Sequence, residues 1–192
     1  MVSGAGSLNV VGISGSMRER SYNTALLRAL GELAPAEFTI SVHRINAIPL
    51  FNADDFEANG LPAPVVALRE IVTAADAVIV ASPEYNHSMS GAFKNTLDWL
   101  SRKPAVLAGK PVLILSATTS PVGGARVQYD VRRVIESVYA HVLAMPEVFL
   151  GRADEKFAPD GRLHDPETRE ALARILVAFR DWIARVRPPV SV

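Results

Sequence analysis

A chain of 192 residues, 49% of them hydrophobic and 21% charged, is long enough for one substantial core and shows no composition break that would divide it. Its 20 basic and 20 acidic residues cancel without a long run of either sign, which removes the electrostatic case for nucleic acid or an anionic membrane as partner. The absence of cysteine excludes disulfides, thiolate catalysis and cysteine-ligated metal or iron–sulfur centres, and fits a cytoplasmic protein.

Residues 1–7 lack the basic start and apolar run of a secretory signal and are expected to form a loose tail. No segment is apolar for long enough to cross a membrane. Residues 8–13 (LNVVGI) are rich in valine and isoleucine, the composition of a strand buried on both faces. A loop of small and polar residues follows, with Ser14, Gly15, Ser16, Arg18, Ser21 and Asn23, and then Leu26, Leu27, Leu30 and Leu33 recur at helical spacing. Strand, polar loop and helix start in that order bring backbone N–H groups, hydroxyls and a helix dipole to one place, which suits a phosphate. The loop is neither G-x-x-x-x-G-K-[ST] nor G-x-G-x-x-G. Hydroxyls around one arginine suit a terminal monophosphate, with Arg18 binding in a fork. The plainer reading is a polar turn in which Ser21 or Asn23 caps the helix.

Phe38, Ile40 and Val42 share one side of a half-buried strand over 37–42, near a sheet edge. Residues 44–64 contain Pro49, Gly60, Pro62 and Pro64 and read as a long loop with at most a short helical turn, either a functional rim or a surface excursion. A helix is expected over 65–75, a buried strand over 76–81 (DAVIVA) and a polar loop over 82–88. A helix over 91–101 follows, with Phe93, Leu97 and Leu100 inward and a Lys94–Asp98 pair one turn apart. Residues 111–116 (PVLILS) form a third buried strand, 118–124 a small-residue loop, and 126–141 a helix. A fifth strand over 142–150 is interrupted or edged by Pro146. A polar loop over 152–164 leads to a long helix over 166–186, ended by Pro188 and Pro189.

This alternation predicts one α/β domain with a parallel sheet covered by helices on both faces. Ligands of such sheets bind beyond the carboxyl ends of the strands, where the strand order reverses, so loops 14–23, 82–88 and 116–124 should converge. In loop 82–88 (SPEYNHS), Tyr85 could lie against a flat ring and Asn86 offers a donor and an acceptor, as the edge of a heterocycle requires. Alternatively Tyr85 packs on a neighbour and Asn86 makes a turn. In loop 116–124 (SATTSPVGG), Gly123 and Gly124 permit close backbone approach to a ring edge, or simply lead into the helix. His43, His87, His141 and His164 are scattered, so no metal site is expected. G-x-S-x-G is absent, which speaks against a serine hydrolase. The first strand ends without a carboxylate, which speaks against a phosphoacceptor domain.

The ordered set G-S-x-R-x-x-S-x-N at 15–23, P-E-Y-N at 83–86, Lys94–Asn95, Asp98–Trp99 and Gly123–Gly124 resembles the NADPH-dependent FMN reductase family, which includes quinone, chromate and azo-dye reductases. The resemblance runs over about residues 10–146. It implies a flavodoxin-like three-layer sandwich with a five-stranded parallel sheet of order 2-1-3-4-5, FMN as cofactor and NADPH or NADH as reductant. It further implies a small-molecule electron acceptor such as a quinone, and a homodimer or homotetramer. By that resemblance Ser16, Arg18, Ser21 and Asn23 hold the FMN phosphate, with Ser14 at the start of the same loop counted among the cofactor-binding residues. Pro83, Glu84, Tyr85 and Asn86 flank the isoalloxazine, and Ser116, Thr118 and Thr119 sit near its other edge. Ser90 stands where many members have proline. Trp99, Leu100 and the Lys94–Asp98 face suggest subunit contact, while ordinary packing on the sheet explains Phe93 and Leu97 fully and Trp99 partly. Since the cofactor carries the hydride chemistry, no catalytic acid or base is expected, and Glu84 is read as aimed at solvent or a partner subunit. The competing function is a flavodoxin-type FMN carrier, but carriers tend to be strongly acidic, unlike this chain.

Overall fold

Alternate residues of the first strand set the layering. In the computed structural model, which describes residues 7–186, β1 (Leu8–Ser14) sends Val10 into one apolar cluster and Val11 and Ile13 into another. Residues 1–6 of the expected N-terminal tail and the whole C-terminal one, with Pro188 and Pro189 as helix stop, lie outside the described residues. The first cluster is closed by α1 (Tyr22–Leu33) and α7 (Pro166–Val186), and the stretch 152–164, expected as a loop, carries the one-turn α6 (Ala153–Lys156) before α7. The second is closed by α3 (Ala63–Ala74), α4 (Gly91–Leu100) and α5 (Ala125–Glu136). The sheet between them has β2 (Phe38–Arg44), β3 (Ala77–Ala81), β4 (Pro111–Ala117) and β5 (His141–Val142) beside β1, all parallel, in the order β2-β1-β3-β4-β5. This is the flavodoxin-like order, with β2 at the edge as its half-buried pattern predicts. The inward stripe of α7 is Leu172, Ile175, Leu176, Phe179 and Ile183, as its spacing predicts.

The fifth strand differs from expectation. In place of one strand over 142–150 there are two short ones, β5 (His141–Val142) and β6 (Phe149–Leu150), so the sheet has six strands rather than five. Both pair with β4, β5 at Pro111 and Val112 and β6 at Ser116 and Ala117. The returning chain is longer than the stretch of β4 that it faces, so after Leu143, whose N–H still donates to Val112 O, residues 144–148 leave the ladder. Pro146, which has no N–H to donate, lies in that excursion.

The 44–64 segment is also more ordered than its breakers suggested. It contains α2 (Ala53–Asn59), which starts where the Asn52 side chain accepts from Asp54 N at 3.0 Å. Asp54 and Asp55 then occupy the favourable end of its dipole. The segment is tied to α4: Asn95 accepts from Phe51 N at 2.8 Å and donates to Pro49 O at 2.8 Å, and Trp99 Nε1 donates to the same carbonyl at 2.8 Å. Trp99 is buried edge-on against Phe51, ring centroids 4.8 Å apart, so its contacts lie within the chain rather than on a free face. The Lys94–Asp98 pair forms at 2.6 Å. Helix α5 stops at Glu136, short of the expected 141, and Tyr139 turns the chain at φ 66°.

Candidate active site

The carboxyl ends of β1, β3 and β4 lie side by side, at the point where the connection from β1 to β2 leaves on one side and β3 takes the other. The loop after β1 begins at Gly15, whose N–H donates to Ala81 O at 2.8 Å and whose carbonyl accepts from Ser90 Oγ at 2.7 Å. A Cβ at Gly15 would stand 2.9 Å from Phe93 Cγ in the core, so only glycine lets this loop press down between β3 and α4. Ser90 also accepts from Phe93 N at 3.1 Å, so one hydroxyl both caps α4 and holds the Gly15 carbonyl.

Farther along, Met17 O accepts from Arg44 Nη2 at 3.0 Å and Asn46 Nδ2 at 2.9 Å, and Glu19 pairs with Arg44 at 2.7 Å. The hydrogen bond from Arg44 holds the Glu19 carboxyl below the usual carboxylate range. Ser21 caps α1, accepting from Thr24 N at 3.4 Å. The N–H groups of Tyr22 and Asn23 in that first turn have no intrahelical acceptor. The capping and ligand-binding readings of Ser21 are therefore compatible. Arg18 makes no ion pair among the described residues.

The loop after β3 is strapped to α5 at two points. Glu84 turns inward: Oε1 accepts from Arg126 Nη1 at 3.1 Å and Oε2 from Val127 N at 3.2 Å, so this carboxylate caps α5, whose own N-cap position is Gly124. The expectation that Glu84 faces solvent or a partner is corrected by that placement. Farther on, Asp130 accepts from Ser88 Oγ and, at 2.8 Å, from Arg133. The Ser88 hydrogen bond, then those of Arg133 and the Met89 backbone, hold the Asp130 carboxyl below its ordinary value. Between the straps Tyr85 N donates to Ser88 O at 2.9 Å and Ser88 N to Tyr85 O at 3.0 Å. Asn86 and His87 at the tip have φ 50° and 67°, the left-handed pair of a tight hairpin turn. Asn86 thus makes the turn, while Tyr85 is 48% exposed rather than packed away.

The loop after β4 is fixed from below. Ser116 Oγ donates to Gly123 O at 2.6 Å and accepts from Gln128 Nε2 at 2.7 Å. Gly123 has φ 68°, and a Cβ there would lie 2.6 Å from the Phe149 carbonyl carbon, which makes glycine obligatory. The first and third loops are joined by Asn23, which donates to Ala117 O at 2.9 Å and accepts from Ala117 N at 3.0 Å.

Together the three loops enclose a cleft of about 130 Å³. Its wall includes Ser16, Arg18, Ser21 and Asn23 from the first loop, Pro83, Glu84 and Tyr85 from the second, and Thr118 and Thr119 from the third. Three expected residues do not line it. Ser14 and Ser116 are fully buried beneath, their hydroxyls used by Thr24 (2.7 Å) and by Gly123 and Gln128, and Asn86 sits at the exposed turn tip. Two lining residues were missed, Tyr22 and Ala117. The first could have been found from its place as the opening residue of α1; Ala117 carries no chemical signal, because only its backbone matters. Among the described residues no group of three or more His, Asp or Glu side chains could hold a metal ion.

The wall offers an anion a single unpaired cation, two helix-start N–H groups and several hydroxyls. That donor set fits a phosphate monoester. The cleft encloses too little space for a flavin, so a tricyclic ring joined to that phosphate would have to lie over the rim between Tyr85 and the third loop.

Residues 8–155 match the family model described as NADPH-dependent FMN reductase. The chain is 42% identical over 181 residues to an NAD(P)H-dependent FMN reductase of Pseudomonas aeruginosa, covering 94% of this chain and 97% of that one. It is 41% identical over 183 residues to a quinone reductase of Escherichia coli, covering 94% and 97%. In three dimensions it is similar to a flavoenzyme NAD(P)H:(acceptor) oxidoreductase from Paracoccus denitrificans, with a TM-score of 0.85 and 30% identity over 93% of this chain and 98% of that one.

Proposed function

Because this chain belongs to the NADPH-dependent FMN reductase family, we propose that its three-loop cleft holds FMN and that the protein moves electrons from NAD(P)H to quinones or similar small acceptors. The observation that carries this reading is the cleft at the β1/β3 switch point, where Arg18 is the only unpaired charge on the wall among the described residues. FMN, when bound, supplies the hydride and electron chemistry. The chain binds and orients. Arg18, the Ser16 and Ser21 hydroxyls and the first turn of α1 would hold the cofactor's phosphate. Pro83, Tyr85, Thr118 and Thr119 would hold its ring. Glu84 is spent on α5 and Arg126, so it is not a proton carrier; its part is to hold the second loop still. With no side-chain acid or base required, specificity for the acceptor rests on what can reach an open ring face.

The chain acts as a homodimer or homotetramer in the cytoplasm. That assembly rests on the family membership of the chain.

Anaerobic mixing of FMN-loaded protein with NADPH or NADH tests the function. Rapid bleaching of the flavin absorbance, followed by recovery on adding a quinone, is expected. Flavin that stays oxidised for many minutes with both nicotinamides would instead describe an electron carrier, and protein that takes up no FMN would remove the reading altogether.

A further inference from the structure

Beside the phosphate end of the cleft lies a larger groove of about 400 Å³, between the start of α1 and the 154–161 segment. Cleft and groove share Arg18, Ser21 and Tyr22, so the groove opens just where the phosphate of a ligand in the cleft would end. Two further cations, Arg20 and Arg28, line it. Neither makes an ion pair within 4 Å among the described residues, and Arg28 reaches Glu19 only through space. Opposite them stand Asp154 and Asp160, and Glu19, already paired with Arg44, also lines the groove. The half-buried Tyr22 ring, tilted on the buried Phe157 with centroids 5.8 Å apart, gives an aromatic wall.

That combination is selective. A bare inorganic anion would meet the arginines but also three carboxylates, Glu19, Asp154 and Asp160. An apolar quinone would leave all of these charges unsatisfied. A nucleoside phosphate uses every part: phosphate on the arginines, ribose hydroxyls and base amino group on the carboxylates, base face on the ring. Resting on the FMN reading of the cleft, we infer that this groove binds an adenosine phosphate group. Two molecules could bring it, the far end of the nicotinamide reductant or the adenylate arm of FAD taken up in place of FMN.

The test titrates FMN-loaded protein with adenosine 2′,5′-bisphosphate and adenosine 5′-phosphate by calorimetry, in wild type and in Arg28→Glu, with Arg20→Glu as a second variant should the first fold poorly. Apoprotein is titrated in parallel with FMN and with FAD. At least one of the adenosine phosphates is expected to bind FMN-loaded wild type, and the charge reversal to weaken it by about tenfold or more with FMN affinity unchanged. If the group arrives on the reductant, Arg28→Glu raises KM for NADPH and leaves the ratio of FAD to FMN affinity alone. If it arrives on the flavin, the variant lowers that ratio and leaves KM for the nicotinamides alone. Either outcome supports the groove. Binding of neither adenosine phosphate to FMN-loaded protein, or binding indifferent to both reversals, overturns it. Apoprotein that takes no FMN undoes the cleft reading instead, and this inference with it.

Discussion

Arg18 projects from an exposed stretch of loop whose own shape is fixed by others: Met17 O is held by Arg44 and Asn46, and Glu19 by Arg44. Removing its side chain should therefore cost binding without unfolding the loop. Arg18→Ala is expected to weaken FMN affinity by about 1.5–3 kcal/mol, the range for a charged hydrogen-bond partner; titration of both apoproteins measures it, and equal dissociation constants would refute the role. Asp130 makes a different prediction. Its carboxyl titrates below the ordinary 3.8, chiefly through Ser88, so its share of stability is present above that value and is lost as pH falls through the lower folded value. Asp130→Asn should accordingly lose less stability than wild type as pH falls below about 4, as thermal melts in acid would show. Arg18 and Ser21 were legible because strand, loop and helix are adjacent in sequence and their spacing is local. The tasks of Glu84 and Asp130 were not, because their partners, Arg126 with Val127 and Ser88, lie some forty residues away.

Elements were legible where a period repeats and illegible where one contact decides. The buried strands β1, β3 and β4 and the stripe of α7 follow from apolar pattern alone. The split of β5 from β6 depends on how a returning chain meets β4, and α2 depends on Asn52 and on the grip of Asn95 and Trp99. Another such tie governs α4. The Arg69 side chain, on α3, donates to the carbonyls of Trp99, Leu100, Arg102 and Pro104 at 2.7–3.2 Å. It is 7% exposed and stands at the negative end of the α4 dipole. Arg69→Met keeps the aliphatic packing but leaves these carbonyls without their donor, and should destabilise the fold by about 2–4 kcal/mol. Urea unfolding should show a lower midpoint with the slope unchanged; a midpoint equal to wild type would mean that water replaces the guanidinium at no cost.

At the scale of the whole molecule, the parallel sheet with helices on both faces was readable from the alternation of strands and helices, and its strand order came with the family resemblance. Assembly was not readable in the same way, since a buried tryptophan and a surface tryptophan look alike in sequence. Trp99 turned out to face its own chain. Light scattering on the FMN-loaded protein should give a mass of two or four times the 20.7 kDa chain; a monomer at micromolar concentration would contradict the proposed assembly.

One side chain has reach well beyond its size. Asn23 clasps the backbone of Ala117 through both functions of its amide, and by doing so welds the loop after β1 to the loop after β4. Loosening either loop therefore means breaking this buried amide pair and disturbing the other loop with it, so the two should open as one unit and not separately.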